Sequence, residues 1–214
     1  MTFPNARTVL LHSGLLLIGL ASVLYSQTDL QIGRLEGTVL PDFRRTHTFM
    51  SPDKRWILIA PPPSKPDQKR MLLVRRSGQK SDILIRRYER SIRVEWAPDS
   101  SAFFLNDESG SNVTDASIYW PGHTNSLELG DAILVQDTEA KAIPADHAYL
   151  QARRWIDSST VLVEYCGHNS GVPAQRFDFL YRIAIGGPDH PFATVRRISR
   201  TLEPSSTSFP DCLP

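Results

Sequence analysis

The chain lacks the short patterns that announce a chemistry. It has no Gly-x-Ser-x-Gly elbow, no glycine-rich phosphate loop, no dinucleotide fingerprint and no HExxH pair. Local signatures of hydrolase, nucleotide and zinc-peptidase sites are therefore missing, and no pattern calls for a cofactor. His47, His123, His147, His168 and His190 lie too far apart in sequence to read as metal ligands. Net charge is nearly absent too: 24 basic residues face 23 acidic ones. That balance argues neither for nucleic acid nor for a membrane surface, and with no recognised nucleic-acid motif present, nucleic acid is not the expected partner. Only two cysteines occur, Cys166 and Cys212. In an exported chain they can form a disulfide that ties the C-terminal tail to the body, worth about 3–4 kcal/mol in the chain-entropy picture.

Charge is scarcest at the N-terminus. Residues 1–26 hold one charged side chain, Arg7, followed by an apolar run from Val9 to Tyr25. A basic start before a short apolar stretch is the layout of a secretory signal. Ala21 offers a cleavage point, and an uncleaved anchor through residues 9–25 is the alternative. Either way the remainder is expected to work outside the cytoplasm, in the periplasm or secreted. The chain divides into a signal or anchor helix over 1–26, a folded domain over 27–202 and a tail over 203–214.

From residue 27 onward no amphipathic helix is evident, and what remains is short apolar runs bounded by turn residues. The runs are Trp56–Ala60, Met71–Val74, Ile83–Ile85, Ile92–Trp96, Ala102–Leu105, Ile133–Val135, Val161–Val163 and Phe177–Ile185. The last has a large apolar residue at every odd position, the period that buries one face of a strand. The 16 prolines separate such runs. The expected fold is all-β, with antiparallel sheets.

One turn recurs. Ser51-Pro52-Asp53-Lys54-Arg55-Trp56 returns as Ala97-Pro98-Asp99-Ser100-Ser101-Ala102, and more weakly as Trp155-Ile156-Asp157-Ser158-Ser159-Thr160, with aspartates 46 and then 58 residues apart. Proline presets the second turn position, and Asp and Ser bond to nearby backbone amides. "MSPDKRWILIA" and "WAPDSSAFFLN" resemble the Trp-Ser-Pro-Asp-Gly repeats of TolB-like and WD-repeat-like β-propellers. The resemblance spans about residues 46–165 and implies a propeller-like array. It departs from the family in having Lys54 and Ser100 where the turn glycine stands. The chain has room for about four blades of ~45 residues, so a small or partial propeller, or a stack of three antiparallel sheets, is expected.

Charge is also unevenly spread. Residues 69–93 carry nine basic side chains against two acidic, a net +7, while 94–140 hold nine acidic residues and no Lys or Arg. Neighbouring sheets that neutralise each other are one explanation, with exposed pairs contributing about 0–1 kcal/mol each. Two opposed faces, one for an anionic partner and one for a basic ligand, are the other.

Between two of the apolar runs lies Asn106-Asp107-Glu108-Ser109-Gly110-Ser111-Asn112-Val113-Thr114-Asp115. These residues suit a self-bonded hairpin loop. They also suit a ligand or partner contact on a rigid scaffold. A calcium site would draw on the same oxygens, but the EF-hand spacing is absent. Asn106, Asp107, Ser109, Gly110, Ser111, Asn112 and Asp115 are the candidate binding residues. Cys166-Gly167-His168 is a weaker candidate, for nucleophilic chemistry.

Propeller logic points to a non-catalytic exported protein that binds another protein or an envelope component through loops at the sheet ends. The alternatives are an extracytoplasmic hydrolase, which needs two carboxylates or Cys166 and a histidine to converge, and a structural homo-oligomer joined through the charged faces.

Overall fold

The three aspartate turns share one internal bond. Oδ1 of Asp53, Asp99 and Asp157 accepts the N–H two residues on, from Arg55, Ser101 and Ser159, at 2.9, 2.9 and 2.8 Å. In the two proline copies the first residue's carbonyl also accepts the N–H three residues on. Lys54 and Ser100 then take φ of 62° and 67°, the left-handed region in which glycine is cheapest. The two proline copies thus share one backbone geometry without a glycine at that position.

A computed structural model describes residues 38–39, 45–65, 68–110, 113–143, 146–169 and 175–204, all within a compact unit that begins at Ile32. The chain is mostly β. Strands β2 (His47–Met50), β3 (Trp56–Ala60), β4 (Arg70–Arg76) and β5 (Ile83–Tyr88) form a four-stranded antiparallel sheet. The short β1 (Thr38–Val39) joins the edge of β6 (Ser91–Trp96), which continues into β7 (Phe103–Glu108), β8 (Val113–Tyr119) and β9 (Ser126–Glu128). Helices α1 (Leu129–Gln136) and α2 (Thr138–Ala142) lead to a second long meander: β10 (His147–Asp157), β11 (Thr160–His168), β12 (Gln175–Ile185) and β13 (Ala193–Pro204).

Alternation puts the middle strands between two apolar layers. Ile92, Val94, Phe103, Leu105 and Tyr119 pack with Leu58, Leu72, Val74 and Tyr88 of the first sheet. Phe104, Ala116 and Ile118 face the other way, onto Ala152, Trp155, Val163, Phe179 and Tyr181. Each layer removes large side chains from water at roughly 1.5–3 kcal/mol apiece.

Three elements depart from the expectation. Ile133–Val135 is not a strand but part of α1, so the chain does contain helix past residue 27. Leu129 and Ile133, one turn apart, are buried, while Leu134 and Val135 face outward. A three-residue apolar run carries no period to tell the two apart. Asp137 follows α1 and caps α2, accepting the N–H groups of Glu139 and Ala140. It also accepts the Tyr181 hydroxyl at 3.0 Å and pairs with Arg197 at 3.1 Å, so the helices are fastened to β12 and β13.

Strand β10 shows no alternation in sequence because a bulge lies at Arg153. Leu150 and Ala152 before it and Trp155 after it all reach the same apolar layer, so parity switches mid-strand. The bulged Arg153 pairs with Glu164, both buried. The third element, β13, interleaves Val195 and Leu202 with arginines and reads as polar sequence.

Candidate functional site

Asn106 and Asp107 are neighbours on β7 and therefore point to opposite faces. Asn106 lies at 2% exposure on the β10 side. Its Nδ2 donates to the Ala152 carbonyl and its Oδ1 accepts the Ala152 N–H, both at 2.9 Å. One side-chain amide thus does what a strand's own backbone would do. Asp107, at 4% exposure, faces the first sheet. Its Oδ2 accepts from Nε of Arg86 on β5 at 2.7 Å.

This corrects the reading of 106–115 as one exposed loop. Strand β7 runs on to Glu108 and β8 begins at Val113. Polar residue types suggested a loop, but here they are strand residues whose polar groups meet partners across a layer. Ser109 is exposed and Gly110 half-buried in the connection, where the Gly110 N–H reaches the Val113 carbonyl at 3.3 Å. Ser111 and Asn112 lie outside the described residues.

Asp115 stands directly across the ladder from Asp107 and keeps an exposed edge. Burial raises the pKa of both carboxyls; Arg86 pulls each back, and neighbouring acids push each up again. For Asp115 those acids are Glu128 and Asp131. Burial works against the Arg86 charge, yet Tyr119 and Asp107 outweigh it and hold its pKa above the ordinary value. Asp107 Oδ1 is buried and has no hydrogen-bond partner among the described residues. One arginine thus serves more carboxylate than it can neutralise.

Beside this cluster is a groove of about 210 Å³. It exists because β8 divides one edge between two partners. Val113 and Thr114 pair in parallel with Ala148 and Tyr149 of β10, whereas Ser117–Tyr119 pair antiparallel with β9. Helix α1 crosses the split. Gly130 lets it approach, since a Cβ there would stand 3.3 Å from Leu150 Cδ2. Ile133, Leu134, Leu150 and Tyr165 line the floor, with Asp115 and Asp131 at the rim. An apolar floor with a few acidic groups suits a basic, partly apolar ligand.

A second cleft, about 340 Å³, lies at the turn end and includes Asp99, Ser101, His123, Ser158 and Ser159. Several polar groups in and beside it are engaged with one another. The Asp53 N–H donates to Ser100 Oγ at 3.0 Å, Ser101 Oγ to Asp99 at 2.6 Å, and the Ser158 hydroxyl bonds to Asp99. These bonds link the sheets at this end.

Residue type in sequence pointed to Asp107 and Asp115 but did not single out Arg86, Glu128 and Asp131 as site residues. The adjacent blocks of opposite charge were the signal for them. It also missed His147 and His168, whose rings stack 4.2 Å apart across β10 and β11. Burial first, and then His147, lowers the His168 pKa. Cys166 is buried in β11, an environment that favours an inert thiol; Cys212 lies outside the described residues. Among the described residues no three His, Cys, Asp or Glu side chains converge as metal ligands. No described helix is long and apolar enough to cross a membrane; residues 1–26 lie outside that description.

No protein family matches the chain, and no curated protein does. A solved prolyl endopeptidase is similar to it at 12% identity, with a TM-score of 0.39, over 76% of this chain and 29% of that one. The chain spans less than a third of that protein's length, and so loose a likeness carries no argument about activity.

Proposed function

We propose that the chain is an exported, non-catalytic binding or scaffold protein, built as a partial β-propeller, that accepts a basic and partly apolar segment of another protein or envelope component. The groove between β8, α1 and β10 is where it does so. The observation that carries this reading is the acid surplus beside an apolar floor: Asp115 and Asp131 at the rim, with Arg86 already engaged by Asp107. A partner's Arg or Lys would supply the missing charge while its aliphatic stem covers Leu134 and Tyr165.

The partial propeller is supported by three hairpin layers whose aspartate turns gather at one end. Export is supported by the apolar segment after Arg7. It is tested by fusing residues 1–26 to a reporter that works only outside the cytoplasm. Hydrolysis would want two carboxylates converging on one point, and Asp107, across the ladder from Asp115, is sealed between sheets and tied to Arg86.

The binding test uses a fluorescent octapeptide of alternating Arg and Leu, followed by polarisation. Saturable, salt-sensitive binding that Asp131→Lys and Leu134→Arg each abolish is expected. Binding that both variants leave intact would sink the proposal.

A further inference from the structure

The large apolar side chains that stay exposed among the described residues collect in two places. Val113 and Leu134 line the groove, and Val135, the next residue of α1, stands outside that lining at 79% exposure. Met50 and Leu84, at 52% and 42%, lie on the first sheet. Leu58, Leu72 and Val74 turn that sheet's inner face toward β6–β8. The alternate residues Ile57 and Leu73, and their cross-strand neighbours Met50 and Leu84, therefore form its outer face. Arg87, opposite Met71, belongs to the same face. Phe192 is accounted for locally: its ring fills the space beside Gly186, where a Cβ would come within 2.3 Å.

The charges are complementary. Arg87 on this face is exposed, as are Lys80 and Arg90 in the turns beside it, and none of the three has an ion-pair partner among the described residues. At the groove the exposed charges are Asp115 and Asp131. The two surfaces sit on opposite sides of the middle strands, because the first sheet packs on one face of β6–β8 and α1 joins the apolar layer on the other. One copy can therefore offer both at once.

We propose that the groove receives the outer face of β2–β5 from a second copy of this chain, so that copies associate head to tail. The proposal rests on the groove reading and names its partner. Leu84 and Met50 of one copy cover Leu134, Val135 and Val113 of the next, and Arg87 meets Asp131 and Asp115. Such a contact is heterologous: it generates a ring where the rotation closes and an open row where it does not. Four strands ~4.8 Å apart and about six residues long present roughly 19 by 20 Å, or about 760 Å² over both partners, below the range of stable interfaces and in that of weak, transient ones. The association is therefore weak and depends on concentration and salt.

Sedimentation velocity of the full chain tests it, across low to high micromolar protein at low and high salt. The expected result is an average mass that rises with concentration at low salt and returns to monomer at high salt. Leu84→Glu and Val135→Glu, both at exposed positions that leave thermal stability unchanged, each hold the chain monomeric. Arg87→Glu does the same, and mixing it with Asp131→Lys protein restores association at least tenfold over either alone. A wild-type chain that is monomeric at every concentration overturns the proposal. So does self-association indifferent to Leu84→Glu and Arg87→Glu. If the monomer still binds the Arg-Leu octapeptide, the groove reading stands and only the named partner falls; if it binds neither, both fall.

Discussion

The two flanks of β6–β8 are stitched by adjacent residues of one strand, with different chemistry. Toward β10 the stitch is neutral and complete: Asn106 satisfies both backbone groups of Ala152 and is satisfied in return. Toward the first sheet it is ionic and incomplete: Asp107 holds Arg86 with one oxygen, and the other has no partner among the described residues. At the turn end the assignment is reversed, neutral toward the first sheet and carboxylate-borne toward the third layer. The Asp53 to Ser100 bond ties the first and second layers, and the Ser158 to Asp99 bond ties the second and third. A buried neutral pair is a structural solution, whereas an unbalanced charged cluster that reaches solvent at Asp115 is what a binding surface needs.

The largest break in that comparison is Asn106→Leu. It strands the N–H and C=O of Ala152 in an apolar layer, each worth about 1–3 kcal/mol. We expect a loss of about 3 kcal/mol and a Tm roughly 6–12 °C lower, read by thermal unfolding. On the ionic flank, Arg86→Leu leaves Asp107 buried beside Asp115 and costs about 2 kcal/mol, discounted because the arginine is partly solvated. The double variant Arg86→Leu with Asp107→Leu should recover most of that loss. A strictly additive result would mean the pair is not coupled.

Titration sharpens the contrast. Asp107 and Asp115 have folded pKa values above the unfolded ~3.9. Their favourable contribution is present below that value and is lost as pH rises through the folded pKa. Asp99 and Asp157 are shifted the other way by their turn bonds, so their contribution is present above ~3.9 and lost as pH falls. Asp115→Asn should therefore stabilise at neutral pH and gain nothing in acid, while Asp157→Asn should destabilise at neutral pH and cost little in acid. Urea midpoints against pH would show it.

The smallest effect distinguishes two turns with the same backbone. Lys54→Gly removes the left-handed penalty and should stabilise by about 0.5 kcal/mol after the entropy of glycine is counted. Ser100→Gly removes the same strain but also the hydroxyl that accepts from Asp53, and should come out near zero.

Much of this architecture was readable. The aspartate turns, β3, the alternation in β12 and most other strands follow from proline, Asx bonding and period two. Strand β10 did not, because a bulge at Arg153 reverses its parity and so erases the pattern that reveals strands. Helix α1 did not, because Ile133-Leu134-Val135 is too short to carry a period. The site was half visible: Asp107 and Asp115 stood out by type, but only the stacking of β5 on β7 brings Arg86 beside them, and no local pattern encodes a contact between strands separated by a hairpin.

The divided edge of β8 has a consequence for how the molecule is assembled. Hairpins such as β6–β7 and β11–β12 join residues a few positions apart and can close within microseconds. The seam at Val113–Ala148 must wait until both intervening helices have emerged and found their places. During synthesis the N-terminal layers can therefore form before the last meander exists, and the groove is completed only when that late, non-local seam closes.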